Sequence, residues 1–346
     1  MIGGGPAGSA AAITLARAGV RVTMYTLPCT SVGESLIPSA QRLLRELGAW
    51  DRFLADEHLP CYGNASAWGS DELAYTDFIR SPYGHGWHLD RARFDATLRA
   101  LAADAGVEIR NERCTAFDAD WMIDCGGRAA PVARAFGIER TYIDRLVAFF
   151  ARFESLDDDS MTFVESAPDG WFHSALLPHV WHRRPGGEPA LLPDVWHRRP
   201  GGESGGEPAG EVAGATHRER VVTFFTDTPV DLREVIASSK HIRVGKILSE
   251  PQSRDARSGR LARFHGSRWI AAGDAALSFD PLSSQGIYAA QYSGKKAAET
   301  LISGRFSEYD AQLEELWERF LDNRAAMYAQ EQRWSGRPFW RSRAQR

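Results

Sequence analysis

The sequence predicts an α/β protein in which a three-layer dinucleotide-binding unit, built from separated segments, carries an inserted antiparallel-sheet domain. Three observations predict it. A glycine turn, Gly3-Gly4-Gly5-Pro6-Ala7-Gly8, opens the chain and runs into a helix-like stretch. A second turn-rich loop, Gly273 to Gly286, lies between a buried-strand pattern and a long helix. Between them, period-two alternation recurs in four segments from Val147 to Thr226, as half-buried strands require.

The opening turn fits G-x-G-x-x-G. Gly3 permits the tight strand-to-helix turn, Gly5 allows close approach of a pyrophosphate, and Gly8 allows the helix to pack on the sheet. Pro6 suits a first helical turn, whose N–H would be orphaned anyway. The free N–H groups and the dipole of the Pro6–Arg17 helix then favour an anion. A strand pattern follows at Val20–Tyr25, and a helix carrying Leu36, Leu43, Leu44 and Leu47 ends at Gly48. Strand-like pieces at Tyr75–Ile79 and Gly86–Leu89 precede an amphipathic helix from Arg91 to about Ala105, then a short strand at Val107–Ile109. Trp121–Asp124 reads as a strand ending in an acid, with a glycine turn at Gly126-Gly127. Val147–Phe153, Ser160–Glu165, Gly170–Leu177 and Val221–Thr226 form the second sheet; Trp269–Gly273 is a buried strand; Gly286–Ile302 is a long helix, followed by a charged helical tail.

Composition excludes several classes. The 346 residues are 43% hydrophobic, enough for a core, and 41 basic against 45 acidic residues leave a net charge of −4. That balance offers no general attraction to nucleic acid or an acidic membrane. Cys29, Cys61, Cys114 and Cys125 stand far apart, without C-x-x-C, and read as idle thiols rather than zinc ligands or a disulfide framework. No apolar run is long enough to span a bilayer and no charged-then-apolar leader is seen, so a cytoplasmic location is expected. The segment Leu176–Glu188 recurs almost verbatim at Leu191–Glu203, and a fragment trails it. Two units do not make a solenoid, and Pro and Gly content marks an exposed duplicated loop, 176–215. His182 and His197 within it invite a metal-site reading, but a duplicated surface loop between two strands is the expected one, and no metal is expected.

A single mononucleotide-binding turn needs no partner at Gly273–Gly286; a long two-part ligand does. Here a resemblance becomes specific. The initial glycine turn, the Asp124-Cys125-Gly126 strand end, and Gly273-Asp274 before a Pro281-containing loop resemble FAD-dependent monooxygenases of the aromatic-hydroxylase fold. Val32-Gly33-Glu34-Ser35-Leu36-Ile37-Pro38, Gly86 to Asp95, Gly170-Trp171-Phe172-His173 and Asp280-Pro281-Leu282-Ser283-Ser284 are similar to the tryptophan-halogenase-like branch. Within it they look closest to non-halogenating flavoproteins, such as those maturing peptide-derived quinone cofactors.

The resemblance implies a Rossmann-like three-layer FAD-binding domain (1–60, 85–145 and 255–305), a substrate domain (61–84 and 146–254) and a C-terminal helical tail (306–346). It implies that Gly3, Gly5, Pro6, Ala7 and Gly8 hold the FAD pyrophosphate and that Arg91 reaches the phosphates or ribityl chain. Glu34 and Ser35 edge the flavin, Asp274 serves the ribityl or pyrophosphate, Pro281 and Ser284 shape the loop beside the ring, and the N–H groups near Gln285 and Gly286 face its pyrimidine. Such a helix start suits a reduced flavin, whose pyrimidine edge is anionic. Arg91 as a helix-start ion-pair partner and Glu34 as a solvated acid remain open alternatives. The ribose-binding acid expected after the second strand is absent: no acid lies between Ser9 and Gly33, and Thr26 stands in its place. His88, Trp171 and His173 are candidate substrate-pocket residues, Trp171 equally a core aromatic.

The implied activity is an NAD(P)H-driven monooxygenase acting on a small aromatic or a residue in a partner polypeptide. Halogenases of the branch need a lysine presented from the first part of the chain. Here the first is Lys240, and the Trp-x-Trp-x-Ile-Pro run is missing. Halogenation is therefore the lesser alternative. A non-catalytic flavin-binding protein is another, since only Arg110–Asp120 connects the Phe94 helix to the Asp124 strand.

Overall fold

The computed structural model describes residues 1–28, 34–116, 119–178 and 218–344. The duplicated loop, Cys29, Val32 and Gly33 lie outside them, apart from the first residues of the loop at 176–178.

The nucleotide-binding unit is organised on a parallel sheet. Thr23–Tyr25 pairs parallel with Glu108–Arg110, and Met122–Asp124 pairs parallel with Trp269–Ala271. Ile2 bridges the two pairs, lying parallel to both Tyr25 and Asp124. Ile2 thus joins the halves, through Ile2 N–H to Ile123 O (3.0 Å) and Cys125 N–H to Ile2 O (2.8 Å). His265–Gly266 closes the edge antiparallel.

The helix Pro6–Arg17 forms as expected, with Gly5 at its N-cap and Ala-rich turns that bury Ala10, Ala11, Ala12 and Ile13 completely. Short side chains let it lie against the Gly286–Ser303 helix. Gly294 faces the Ala7 carbonyl so closely that any Cβ there would overlap it. The Arg91–Asp104 helix also packs on the opening helix, capped by Asp90, whose carboxylate accepts from Arg93 N–H at 3.0 Å.

Some expected boundaries move. Leu36 ends a short strand, Glu34–Leu36, rather than sitting in a helix, and Ala40–Glu46 and Trp50–Ala55 form two separate helices. The residues Tyr75–Ile79 divide into a strand, Ala74–Asp77, and a single turn, Phe78–Arg80, because the Asp77 carboxylate caps Ile79 N–H at 2.7 Å.

The second sheet has eight strands. Their order is Val244–Ile247, Val147–Ser155, Glu219–Thr226, Gly170–Leu176, Thr162–Ala167, Gly63–Ala67 and Ala74–Asp77, with Gln252–Asp255 also on Val147–Ser155. It is antiparallel except where Thr162–Ala167 runs parallel to Gly63–Ala67. Phe153, Phe163, Phe172 and Phe224 pack on one side, and Trp171, Phe225 and Trp340 on the other.

The C-terminal segment is not a peripheral tail. Phe306–Ala329 buries Tyr309, Leu313, Trp317, Phe320 and Tyr328, and the Tyr309 hydroxyl donates to Ala271 O at 2.7 Å in the parallel sheet. Farther on, Trp340 donates its indole N–H to Ala167 O at 3.0 Å in the second sheet. The closing segment therefore belongs to both cores.

Gly294→Ala tests the helix–helix approach. Alanine gains about 1 kcal/mol of helix propensity, but overlap with backbone costs about 3 kcal/mol or more. The variant should therefore unfold at lower denaturant concentration than wild type; an unchanged urea midpoint would disprove the close contact.

Candidate functional site

The opening turn is a backbone cradle. Gly3 has φ +104°, and a side chain there would overlap the Cys125 carbonyl. Gly5, by contrast, has nothing within 4 Å of where a Cβ would stand, so this side of the turn is open. The first N–H groups of the helix have no intrahelical acceptors and point toward that opening. Gly8 packs against the Gly3 carbonyl and beside Cys125 at the end of the Met122–Asp124 strand, closing the turn and letting the helix approach the sheet.

The late loop meets this cradle. Gly273 adopts φ +63°, and a Cβ on it would lie 2.8 Å from the Ala7 Cβ. Its N–H donates to Ser293 Oγ at 2.8 Å, tying the loop to the Gly286 helix. Gly273, Asp274, Gly286 and Ala290 share a cavity of about 10 Å³, room for one water. Two segments some 270 residues apart in sequence thus come into contact at Gly273 and Ala7.

Two arginines that the sequence reading did not single out shape the loop. Arg140 donates to the carbonyls of Asp274 (2.8 Å) and Ala275 (3.0 Å) and to Ser278 Oγ (2.8 Å). Arg128 holds the Asp274 carboxylate (3.4 Å) and donates to the carbonyls of Phe279 and Arg257. Only the position of Arg128, directly after the Gly126-Gly127 turn, offered a signal in sequence. The Asp124 carboxylate is structural: it is fully buried and accepts from Gly126, Val132 and Ala133 N–H at 2.8–3.0 Å.

Pro281 starts a single turn capped by Asp280, Ser284 has φ +50°, and Gln285 caps the 18-residue helix beginning at Gly286. Asp280 is buried. Its carboxylate accepts from Tyr328 Oη at 2.9 Å and from Arg324 Nε at 3.3 Å, and Arg324 also bonds Asp144 at 3.2 Å. Burial pushes the Asp280 carboxyl up, against the pull of Arg324.

Within electrostatic reach of Asp274 lies an ion cluster. Glu34 pairs with Leu89 across strands, which brings it to Arg91 at the next helix start. The Arg91 guanidinium bonds Glu34 and Asp95 (3.2 and 3.3 Å), and its Nε is buried without a partner. The helix-start ion-pair alternative is thus the one the geometry displays, with one donor left over. Loss of solvent pushes the Glu34 carboxyl up, Arg91 opposes this, and repulsion from Asp95 and Asp274 adds to it.

The expected pocket residues separate. Trp171 is fully buried, stacked on Phe225 at 4.1 Å, with its indole N–H donating to Tyr328 Oη at 3.0 Å. The pocket expectation for Trp171 is therefore corrected: it is a core residue. His88 is also committed: Nε2 donates to Ser160 O at 2.8 Å, which leaves Nδ1 to accept from Ser35 Oγ at 2.9 Å. Both nitrogens being used, it joins the two sheets and does not face a substrate. His173 alone keeps partial exposure. Burial pushes both imidazoles down to about 4, with Arg220 adding repulsion, so both are neutral at pH 7.

Among the described residues no group of three or more His, Cys, Asp or Glu side chains is placed to hold a metal ion, and no helix is long and apolar enough to cross a membrane. Cys61, Cys114 and Cys125 are free thiols.

Comparison with known proteins places the fold. The tryptophan halogenase family profile matches residues 1–66 and 219–346. A protein of Marinomonas mediterranea described as the FAD-dependent oxidoreductase LodB is 24% identical over 99% of this chain and 95% of its own length. The fold matches CmlS, a flavin-dependent halogenase, with a TM-score of 0.74 at 22% identity, over 99% of this chain and 66% of that one. It matches QhpG, a peptidyl tryptophan dihydroxylase essential for tryptophylquinone cofactor biogenesis, with a TM-score of 0.73 at 22% identity, over 99% of this chain and 77% of that one.

Neutral burial of His88 has a pH signature. Between about pH 6.5 and 4 only the unfolded chain takes up its proton, so stability falls as pH drops through that window. The loss approaches an order of 3 kcal/mol when fully expressed. Thermal unfolding of His88→Gln should show a shallower decline than wild type over this window; parallel curves would refute the assignment.

Proposed function

Because the chain belongs to the tryptophan halogenase family, we propose that it is an NAD(P)H-driven FAD-dependent monooxygenase that hydroxylates an aromatic or peptide-borne substrate. FAD-dependent oxidoreductase chemistry is the common ground of its relatives. The observation that most supports the reading is the contact of Gly273 with Ala7, which brings the late loop against the opening turn.

The residues present fit FAD. The cradle is open at Gly5 and at Gly286, where a Cβ would meet nothing within 4 Å. The unused Arg91 Nε is a donor without an acceptor in the protein. In this proposal the N–H groups of Ala7 and Gly8 hold the pyrophosphate, with Gly3, Gly5 and Pro6 shaping the turn. Glu34, Ser35 and Arg91 line the middle, and Asp274 holds the ribityl hydroxyls. Pro281, Ser284, Gln285 and Gly286 present the loop and helix start that favour negative charge at the pyrimidine edge. When bound, the flavin supplies two-electron reduction and oxygen activation. The protein binds, orients and keeps water from that centre; Asp280, held by Arg324 and Tyr328, fixes the loop. Neutral His173 is the remaining substrate-side candidate.

Hydroxylation is favoured over halogenation by the lysines. Lys240 is paired with Asp71 at 2.7 Å, and Lys295 and Lys296 are paired with Glu299 along their helix. Lys246 lies in a strand at the far edge of the second sheet. None stands beside the Glu34–Arg91 cluster. Likeness to a peptidyl tryptophan dihydroxylase supports a peptide-borne substrate.

Purified protein should carry flavin, consume NAD(P)H, and give oxygen-bearing product whose yield is independent of added chloride or bromide; halide-dependent product would defeat the reading. Gly5→Val places a side chain where the pyrophosphate approaches, and Asp274→Ala removes the ribityl acceptor. Each should abolish visible flavin absorbance while circular dichroism stays unchanged, and retained absorbance in both would overturn the site.

A further inference from the structure

An open basin of about 530 Å³ lies on the second sheet, on the side that carries Phe163 and away from Trp171 and Tyr328. Small-molecule sites have volumes of roughly 300–1,000 Å³. Phe163 and Leu73 give the basin its apolar lining, and Asp157, Asp159, Lys240, His241 and Arg243 stand around them.

Two buried charges hold its walls. Arg220 donates to Asp157 Oδ1 and to Asp159 O, both at 2.8 Å, and so fixes the turn 157–159. Glu165 accepts from Ser239 Oγ at 2.6 Å and from the N–H groups of Lys240 and His241 at 2.7 and 3.2 Å, and so fixes the segment 239–241. Arg243 O accepts from Leu156 N–H at 3.2 Å, which brings Arg243 to the start of the Asp157 turn. Walls ordered in advance lower the entropy cost of binding.

Most charges around the basin are already neutralised. Asp157 is paired with Arg220, Asp158 with Arg218 at 3.0 Å and Lys240 with Asp71 at 2.7 Å. His241 Nε2 donates to Asp71 O at 2.8 Å. Two charges differ. The Arg243 guanidinium has no partner among the described residues. Asp159 Oδ1 accepts the Met161 N–H at 2.8 Å, and no cation among the described residues pairs with its carboxylate. One open cation and one open anion thus stand beside apolar carbon. A ligand of either single sign would meet a like charge, whereas a ligand carrying both signs satisfies both.

We propose that this basin is a second ligand site, separate from the opening turn and the late loop, that takes an apolar α-amino acid as its zwitterion. The carboxylate lies on Arg243, the ammonium on Asp159, and the side chain on Phe163 and Leu73. A guanidinium matches a carboxylate with paired, charge-assisted hydrogen bonds.

The test is calorimetric titration of the full-length chain with L-leucine, N-acetyl-L-leucine and L-leucinamide. Their shared aliphatic side chain separates this site from one for an aromatic substrate. Wild type should bind L-leucine about tenfold more tightly than either capped form. Arg243→Gln should bring L-leucine down to the affinity of L-leucinamide, and Asp159→Asn down to that of N-acetyl-L-leucine. Equal affinities for the three compounds, tighter binding of a capped form, no binding of any, or a preference retained in either variant would each overturn the inference. Flavin content is read separately from absorbance, so the oxidoreductase reading stands or falls on its own.

Discussion

The site depends on how closely two helices can approach. Gly294 lets the Gly286 helix meet the Ala7 carbonyl, and Gly273 turns beside the Ala7 side chain. A larger group at either place would separate the first and last thirds of the nucleotide-binding unit. The late loop would then no longer meet the opening turn. The alanines at positions 10, 11 and 12, fully buried, are the same constraint extended along the opening helix.

Around this contact the protein uses charge to hold loops rather than to strengthen its surface. Arg140, Arg128 and Arg324 give most of their hydrogen bonds to loop carbonyls or to Asp144, Asp274 and Asp280. Buried ion pairs are poor sources of net stability, since desolvation offsets much of the attraction. Their use here is geometric: each fixes part of the Gly273–Gly286 segment, which has little regular structure of its own. The Glu34–Arg91–Asp95 cluster is similar, with one guanidinium between two carboxylates and one of its donors left unused.

Most of the fold was legible in the sequence because its signals are local. Pro6–Arg17, Gly86–Leu89 and the four main strands of the second sheet follow from periodicity and turn residues. So did the joining of residues 3–8 to 273–286, because a glycine at a tight turn reports what it approaches. Less visible was anything that depends on which distant residue lies opposite. Trp171 and His88 looked like pocket residues because aromatic and imidazole side chains suit pockets and cores alike, and only Tyr328, Ser35 and Ser160 decide between them. Arg128 and Arg140 are two arginines among many; their roles come from carbonyls and turns elsewhere in the chain. The charged C-terminal helix likewise gave no sign in its composition that it enters both cores.

That helix gives the molecule an internal relay. Trp171 in the second sheet bonds Tyr328, Tyr328 bonds Asp280, and Asp280 caps the turn beginning at Pro281. The eight-stranded sheet and the loop at Pro281 are thus joined through one indole, one phenol and one carboxylate, so the position of the loop is set in part by a residue of the other core.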